Sequence, residues 1–252
     1  MVFAESERTY AKTDILLTEQ RSGLRISALT FQEVFSMTIT IREPGSAITH
    51  LIGMVLAIFA TIPMLVKASL VSTRAGIIAM AVFMTSMILL YTASTLYHSV
   101  NLQGHSLRFF QKIDHMMIFV LIAGSYTPVC LLVLNPVDGH RLLVTVWVIA
   151  AAGMLFKLFW VTCPKYVSSI IYVAMGWSCL SVFGQLLHTL PRPAFFWLLA
   201  GGLLYTVGGV IYALKLPIFN ARHKGFGSHE IFHLFVMGGS ICHFICMYFY
   251  LL

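Results

Sequence analysis

At 252 residues, 59% of them hydrophobic and only 10% charged, with a mean hydropathy of +0.88, this chain is too apolar for a water-soluble domain, in which about a quarter of residues carry charge. A formal net charge of +7 raises nucleic acid as a partner, but the basic residues are scattered and no basic run alternates with aromatics, which excludes it. The cysteines Cys130, Cys163, Cys179, Cys242 and Cys246 are odd in number and lack a C-x-x-C pair, so they read as small core residues rather than disulfides.

Residues 1–41 are a polar segment with no charged-then-apolar leader pattern. No fold is assigned to them; they are expected to be disordered or to lie upstream of the true start, for which Met37 is the candidate. From residue 42 onward the composition changes. A hydrocarbon core requires about 20 apolar residues per helix, and such segments recur at 46–66, 77–97, 114–134, 142–161, 167–187, 195–214 and 229–251.

Helix breakers fall between them: Pro44-Gly45, Asn135-Pro136, Cys163-Pro164, Pro191-Arg192-Pro193 and Gly225-Phe226-Gly227. Pro63 and Pro128 fall inside spans, where the missing N–H predicts kinks. The long runs lack the alternation of a membrane barrel, and a bilayer leaves no water to satisfy an open backbone. The reading is an all-α bundle of seven transmembrane helices over 42–252.

Lys and Arg residues number twelve on the side of the N-terminus and four on the other, so the positive-inside rule predicts a cytoplasmic N-terminus. Without residues 1–36 the ratio is eight to four, in the same direction. The second span then ends near His98, the third starts at Asp114 and the seventh starts at His229. Topology brings all three points to one membrane depth.

His229 and His233 stand at i and i+4, which puts both imidazoles on one helix face. Two histidines do not close a zinc site; His98, with Ser94 one turn deeper, supplies the third nitrogen. Three neutral imidazoles leave the open fourth position of a catalytic zinc. After Glu43 the acids are Asp114, Asp138 and Glu230. A carboxylate near a span end is costly unless paired, metal-linked or wet. Asp114 either caps the third helix at its N-terminus or serves the site, and beside His98 and the histidine pair the second reading prevails.

The remaining histidines read as interfacial or core hydrogen-bonders: His50, His105, His140, His188 and His223, and by extension His115 and His243. His229-Glu230-Ile231-Phe232-His233 also fits the H-E-x-x-H pattern of zinc proteases, whose glutamate is the general base. The third ligand of such a site would be Asp138, which the charge count puts on the far side of about 30 Å of hydrocarbon. Gly201-Gly202, Gly208-Gly209 and Gly238-Gly239 read as close helix packing.

Arg42-Glu43-Pro44 through Ala47-Ile48-Thr49-His50, the Ser94-x-x-x-His98 pair, Asp114 followed by Gly124-Ser125-Tyr126-Thr127-Pro128, and Gly227-Ser228-His229-Glu230-Ile231-Phe232-His233 occur in this order. In these motifs the chain resembles the hemolysin III branch of the progestin and adipoQ receptor family over about residues 42–252. The resemblance implies a seven-helix fold with a cytoplasmic N-terminus and a zinc near the inner leaflet. His98, His229 and His233 match that family's zinc ligands, Asp114 the acid beside the water at the zinc, and Ser94 the serine near it. The family's kinship to adiponectin-type receptors and alkaline ceramidases implies a lipid-amide hydrolase activity.

The leading expectation is therefore a zinc-dependent hydrolase of a lipid amide or ester serving membrane homeostasis, in a plasma membrane of the bacterial inner-membrane type. Membrane lipids are its partners, and a homo-oligomer is compatible with this. The competing classes are a sensor or receptor with a structural metal, and a pore-forming cytolysin. The uniformly apolar spans give the last no polar pore lining.

Overall fold

The structure, a computed structural model, describes residues 41–214 and 227–252. The expectations for residues 1–40 and for His223 lie outside the described residues. The helices are α1 (Pro44–Val71), α2 (Arg74–Ser99), α3 (Gly104–Leu132), α4 (Pro136–Phe159), α5 (Lys165–Gly176), α6 (Phe183–Thr189), α7 (Arg192–Leu214) and α8 (Ser228–Cys246). A 3-10 turn over Trp177–Val182 joins α5 to α6 within one span, and a π-turn over Met247–Leu251 extends α8. Among the described residues seven segments are long and apolar enough to cross a membrane, as the hydropathy pattern predicts.

The bundle is organised for lipid rather than water. On α1 the inward stripe is Ser46, Ala47, His50, Gly53, Ala57, Met64 and Ala68, small or polar at helical spacing. Its outward face carries Leu51, Ile52, Val55, Leu56, Phe59 and Ile62, all exposed. Without a hydrophobic drive between helices in lipid, close approach at small residues supplies the packing. The predicted glycine contacts are found between α7 and α8: a Cβ on Gly239 would stand 2.8 Å from the Tyr205 ring, and one on Gly208 2.8 Å from Phe235 Cβ. Gly202 has open space around it, so only one member of that glycine pair is needed for contact.

The structure corrects three sequence expectations. The third span begins at Gly104, ten residues before Asp114, so Asp114 lies in the third turn of α3 and does not cap it. The fifth span is not one continuous helix. Tyr126 holds its break open: its hydroxyl donates to the Gly176 carbonyl at 2.5 Å and accepts from the Cys179 N–H at 2.9 Å. Freed backbone groups at membrane depth require such partners. Finally Lys157, counted with the loop charges, lies in the last turn of α4 and is wholly buried. Helices α1 and α3 continue on both sides of Pro63 and Pro128.

Candidate metal centre

The site forms where α1 starts, α2 ends and α8 starts. The Glu43 N–H donates to the His98 carbonyl at 3.0 Å and fastens the first of these ends to the second. On α2 the inward stripe of Leu90, Tyr91, Ser94 and His98 follows the helical repeat, so His98 and Ser94 share the buried face. On α8 the i, i+4 spacing directs His229 and His233 to the same side. The side-chain nitrogens of His98, His229 and His233 all lie within 4.8 Å of one another, so the group can hold a metal ion.

The donor chemistry fits such an ion. His98 and His229 approach with Nε2 to Nε2 at 3.2 Å. Two nitrogens on one tetrahedral zinc, each about 2.0–2.1 Å from it, are about 3.3 Å apart. The opposite ring nitrogens of His98 and His233 face acceptors, while Nδ1 of His229 is buried with no hydrogen-bond partner among the described residues. Nδ1 of His98 donates to Glu43 Oε2 at 2.5 Å, and Nδ1 of His233 lies 3.3 Å from the Ser46 carbonyl oxygen and 3.2 Å from Thr49 Oγ1. An acceptor at Nδ1 fixes the tautomer that leaves Nε2 free to bind a metal, and a carboxylate there makes the ring a stronger ligand. The hydrogen bond from His98 in turn holds the Glu43 carboxyl below its ordinary value. The His50 ring stacks on that of His233 at 3.6 Å and 9°, clamping its orientation.

Arg42 completes this end of the molecule. It pairs with Glu43 at 3.3 Å and lies 4.2 Å over the Tyr97 ring. The carboxylate of Glu230 is engaged by backbone and hydroxyl donors. One of its oxygens accepts the Gly227 N–H at 2.7 Å and the other the Ser46 hydroxyl at 2.6 Å, so it caps α8 and ties it to α1. Asp138 hydrogen-bonds Asn135 at 2.7 Å at the opposite end of α3, out of reach of the histidines.

Asp114 and Ser94 line the same cavity as His229 and His233. Asp114 is buried, with its Oδ2 3.2 Å from His115 Nδ1. The hydroxyl of Ser94 is buried and has no hydrogen-bond partner among the described residues. The cavity, of about 160 Å³, runs into the bundle between Leu90, Leu121, Phe195, Leu198 and Val236 and reaches the α5–α6 break. His243 lies on its wall, buried, with Nε2 3.3 Å from the Leu198 carbonyl oxygen, a core hydrogen-bonder as expected. His105, His140 and His188 are exposed.

Sequence reasoning missed the layer around the ligands. In the sequence Glu43 reads only as a motif residue between Arg42 and Pro44, and His50 as an interfacial or core hydrogen-bonder. The signal that points to them is the spacing of Ser46, Thr49 and His50 on one face of α1, directly after Glu43-Pro44.

Fold and site together define a multi-pass membrane protein with a buried three-histidine group able to hold a metal ion. Its sequence matches the profile of the Haemolysin-III related family over residues 38–244, and the chain belongs to that family. It is 38% identical to Hemolysin-3 of Bacillus cereus over 222 residues, covering 88% of this chain and 97% of the relative. Identity to a Hemolysin-3 homolog of Bacillus subtilis is also 38%, over 212 residues, 84% of this chain and 95% of the relative. A more distant relative is the human Monocyte to macrophage differentiation factor, 29% identical over 167 residues, 64% of this chain and 66% of that protein.

Proposed function

We propose that this protein is a zinc-dependent hydrolase of a lipid amide or ester, drawing its substrate sideways from the bilayer. The reading is carried by one observation: three imidazoles converge on one point, and two of them, His229 and His233, line a largely apolar cavity whose wall also carries a buried carboxylate and an unpartnered hydroxyl. His98, His229 and His233 would hold the zinc, which when bound would supply Lewis acidity toward an acyl carbonyl and lower the pKa of water to near neutral. Glu43, Ser46, Thr49 and His50 keep the ligand rings oriented.

A carboxylate oxygen of Asp114 accepts the proton of the attacking water and delivers it to the departing amine or alcohol. The Ser94 hydroxyl donates to the substrate carbonyl oxygen and orients it. The apolar part of the cavity, between Leu90, Leu121, Phe195, Leu198 and Val236, takes the acyl chain. The charge count supports the cytoplasmic leaflet for this site, and the Bacillus relatives support a bacterial inner membrane.

The test is turnover by the purified full-length protein, zinc-loaded or stripped, on a panel of lipid amides and esters. Asp114→Asn is expected to keep the metal and lose about 10²–10⁴-fold in rate. Zinc-loaded wild type that hydrolyses none of these lipids refutes the proposal, and a chelator effect on melting alone favours a sensor with a structural metal. Membrane lysis is suggested by the names of the Bacillus relatives; dye release from liposomes by the purified protein decides that reading.

A further inference from the structure

Away from the histidines, the end of α4 and the start of α5 enclose a second polar cluster. Lys157 is wholly buried, and its Nζ donates to Cys163 Sγ at 3.1 Å and to Ser168 Oγ at 2.5 Å. Sγ and Oγ are themselves 3.2 Å apart, so amine, thiol and hydroxyl form a closed triangle. Cys163 and Ser168 are both buried. Among the described residues no carboxylate forms an ion pair with Lys157, and the neighbouring Phe156 ring is 5.7 Å away.

A buried charge is costly unless it is paired. The acid within reach of this lysine is the Cys163 thiol. Thiol with amine and thiolate with ammonium are both neutral as pairs, and they differ by one proton moved along the 3.1 Å contact. The second form holds a nucleophilic thiolate with its proton donor already beside it. The cysteines of the described residues are all free, and Cys163 has an amine rather than a second thiol in contact.

We propose that Lys157 and Cys163 are a redox modification site at which hydrogen peroxide joins Sγ to Nζ in a sulfenamide. In the first step the thiolate attacks one peroxide oxygen and the O–O bond breaks. Sulfur is oxidised to the sulfenic acid, and the departing hydroxide takes a proton from the Lys157 ammonium to become water. In the second step the neutral Lys157 amine attacks sulfur and the S–O bond breaks. Hydroxide leaves with the nitrogen's proton as a second molecule of water. One thiol, one amine and one peroxide give one S–N bond and two waters. Condensation of a sulfenic acid with nitrogen is established cysteine chemistry and is reversed by thiols.

Peroxide is small and uncharged, and so suits a site closed to bulkier reagents. The Ser168 hydroxyl, in contact with both partners, donates to the leaving oxygen. The bond would staple the last turn of α4 to the loop before α5, next to Ser169 on the cavity wall.

The experiment treats the full-length protein in lipid nanodiscs with hydrogen peroxide, blocks residual thiols, and maps peptides by mass spectrometry. The expected product is a bridged peptide containing Lys157 and Cys163, lighter by two hydrogen atoms and returned to its original mass by dithiothreitol. Lys157→Arg and Cys163→Ser should each abolish it, and Ser168→Ala should slow it. The wild-type peptides decide the matter even if a variant does not fold. The proposal is overturned if Cys163 is recovered unbridged with added oxygen, or if the bridge carries an extra oxygen between the two atoms. It is equally overturned if Cys163 is unmodified while glutathione in the same tube is fully oxidised.

Discussion

Replacing Glu43 by glutamine removes a charge from the candidate metal site while keeping the length of the side chain and an acceptor oxygen. What is lost is the negative charge of the acceptor in the hydrogen bond from His98 Nδ1 to Glu43 Oε2, at 2.5 Å. Hydrogen bonds to charged groups contribute about 1.5–3 kcal/mol. Because the Glu43 side chain is 43% exposed while that of His98 is 1% exposed, water competes for the carboxylate and the lower end applies. About 1.4 kcal/mol is a tenfold change in a binding constant, at the bottom of the ~10–100-fold range for residues that orient metal-binding histidines. The assay is zinc competition between the purified protein and a chromophoric chelator, with melting followed in parallel. Glu43→Gln should weaken zinc binding about tenfold and lower metal-loaded melting more than metal-free melting. Glu230→Gln is the control: it weakens the cap of α8, at a cost of about 1 kcal/mol, and should lower metal-free and metal-loaded melting together. Wild-type affinity in Glu43→Gln, or equal loss of affinity in both variants, refutes the assignment of Glu43 as the group that orients His98.

Three further outcomes are expected. The Glu43 carboxyl is held below its ordinary value in the fold, so its stabilising effect is present above the unfolded value of about 4.3 and disappears as pH falls through the lower folded value. Acid melting curves of the metal-free protein should therefore fall more steeply below about pH 4 for wild type than for Glu43→Gln. Removing zinc from protein kept in free zinc at about a hundred times the dissociation constant should cost about 2.7 kcal/mol of apparent stability, in wild type but not in His229→Ala, as read by thermal unfolding with and without chelator. Gly239→Ala brings a methyl to 2.8 Å from the Tyr205 ring and should destabilise by about 1–3 kcal/mol. Gly202→Ala, with nothing within 4 Å, should melt like wild type.

The sequence by itself determined the class of fold. Seven apolar stretches of spanning length are a local property, because lipid demands length and hydrophobicity segment by segment. The shared helix face of His229 and His233 was equally local, since backbone geometry alone sets their spacing. His98 required one more step, the alternation of spans across the membrane, and the structure brings its Nε2 to 3.2 Å from that of His229. What surrounds those rings was decided only by tertiary packing. Glu43 reaches His98 across 55 positions and Thr49 reaches His233 across 184, distances over which no pattern of residue types constrains contact. Asp114 was picked out as an acid in an apolar chain, but its depth depended on where α3 starts, ten residues earlier than hydropathy indicated, because Gly104–Ile113 is too polar to register as a span. The enclosure of Lys157 was invisible for the same kind of reason: a lysine at a helix end reads as a surface charge until the following loop folds back and buries it.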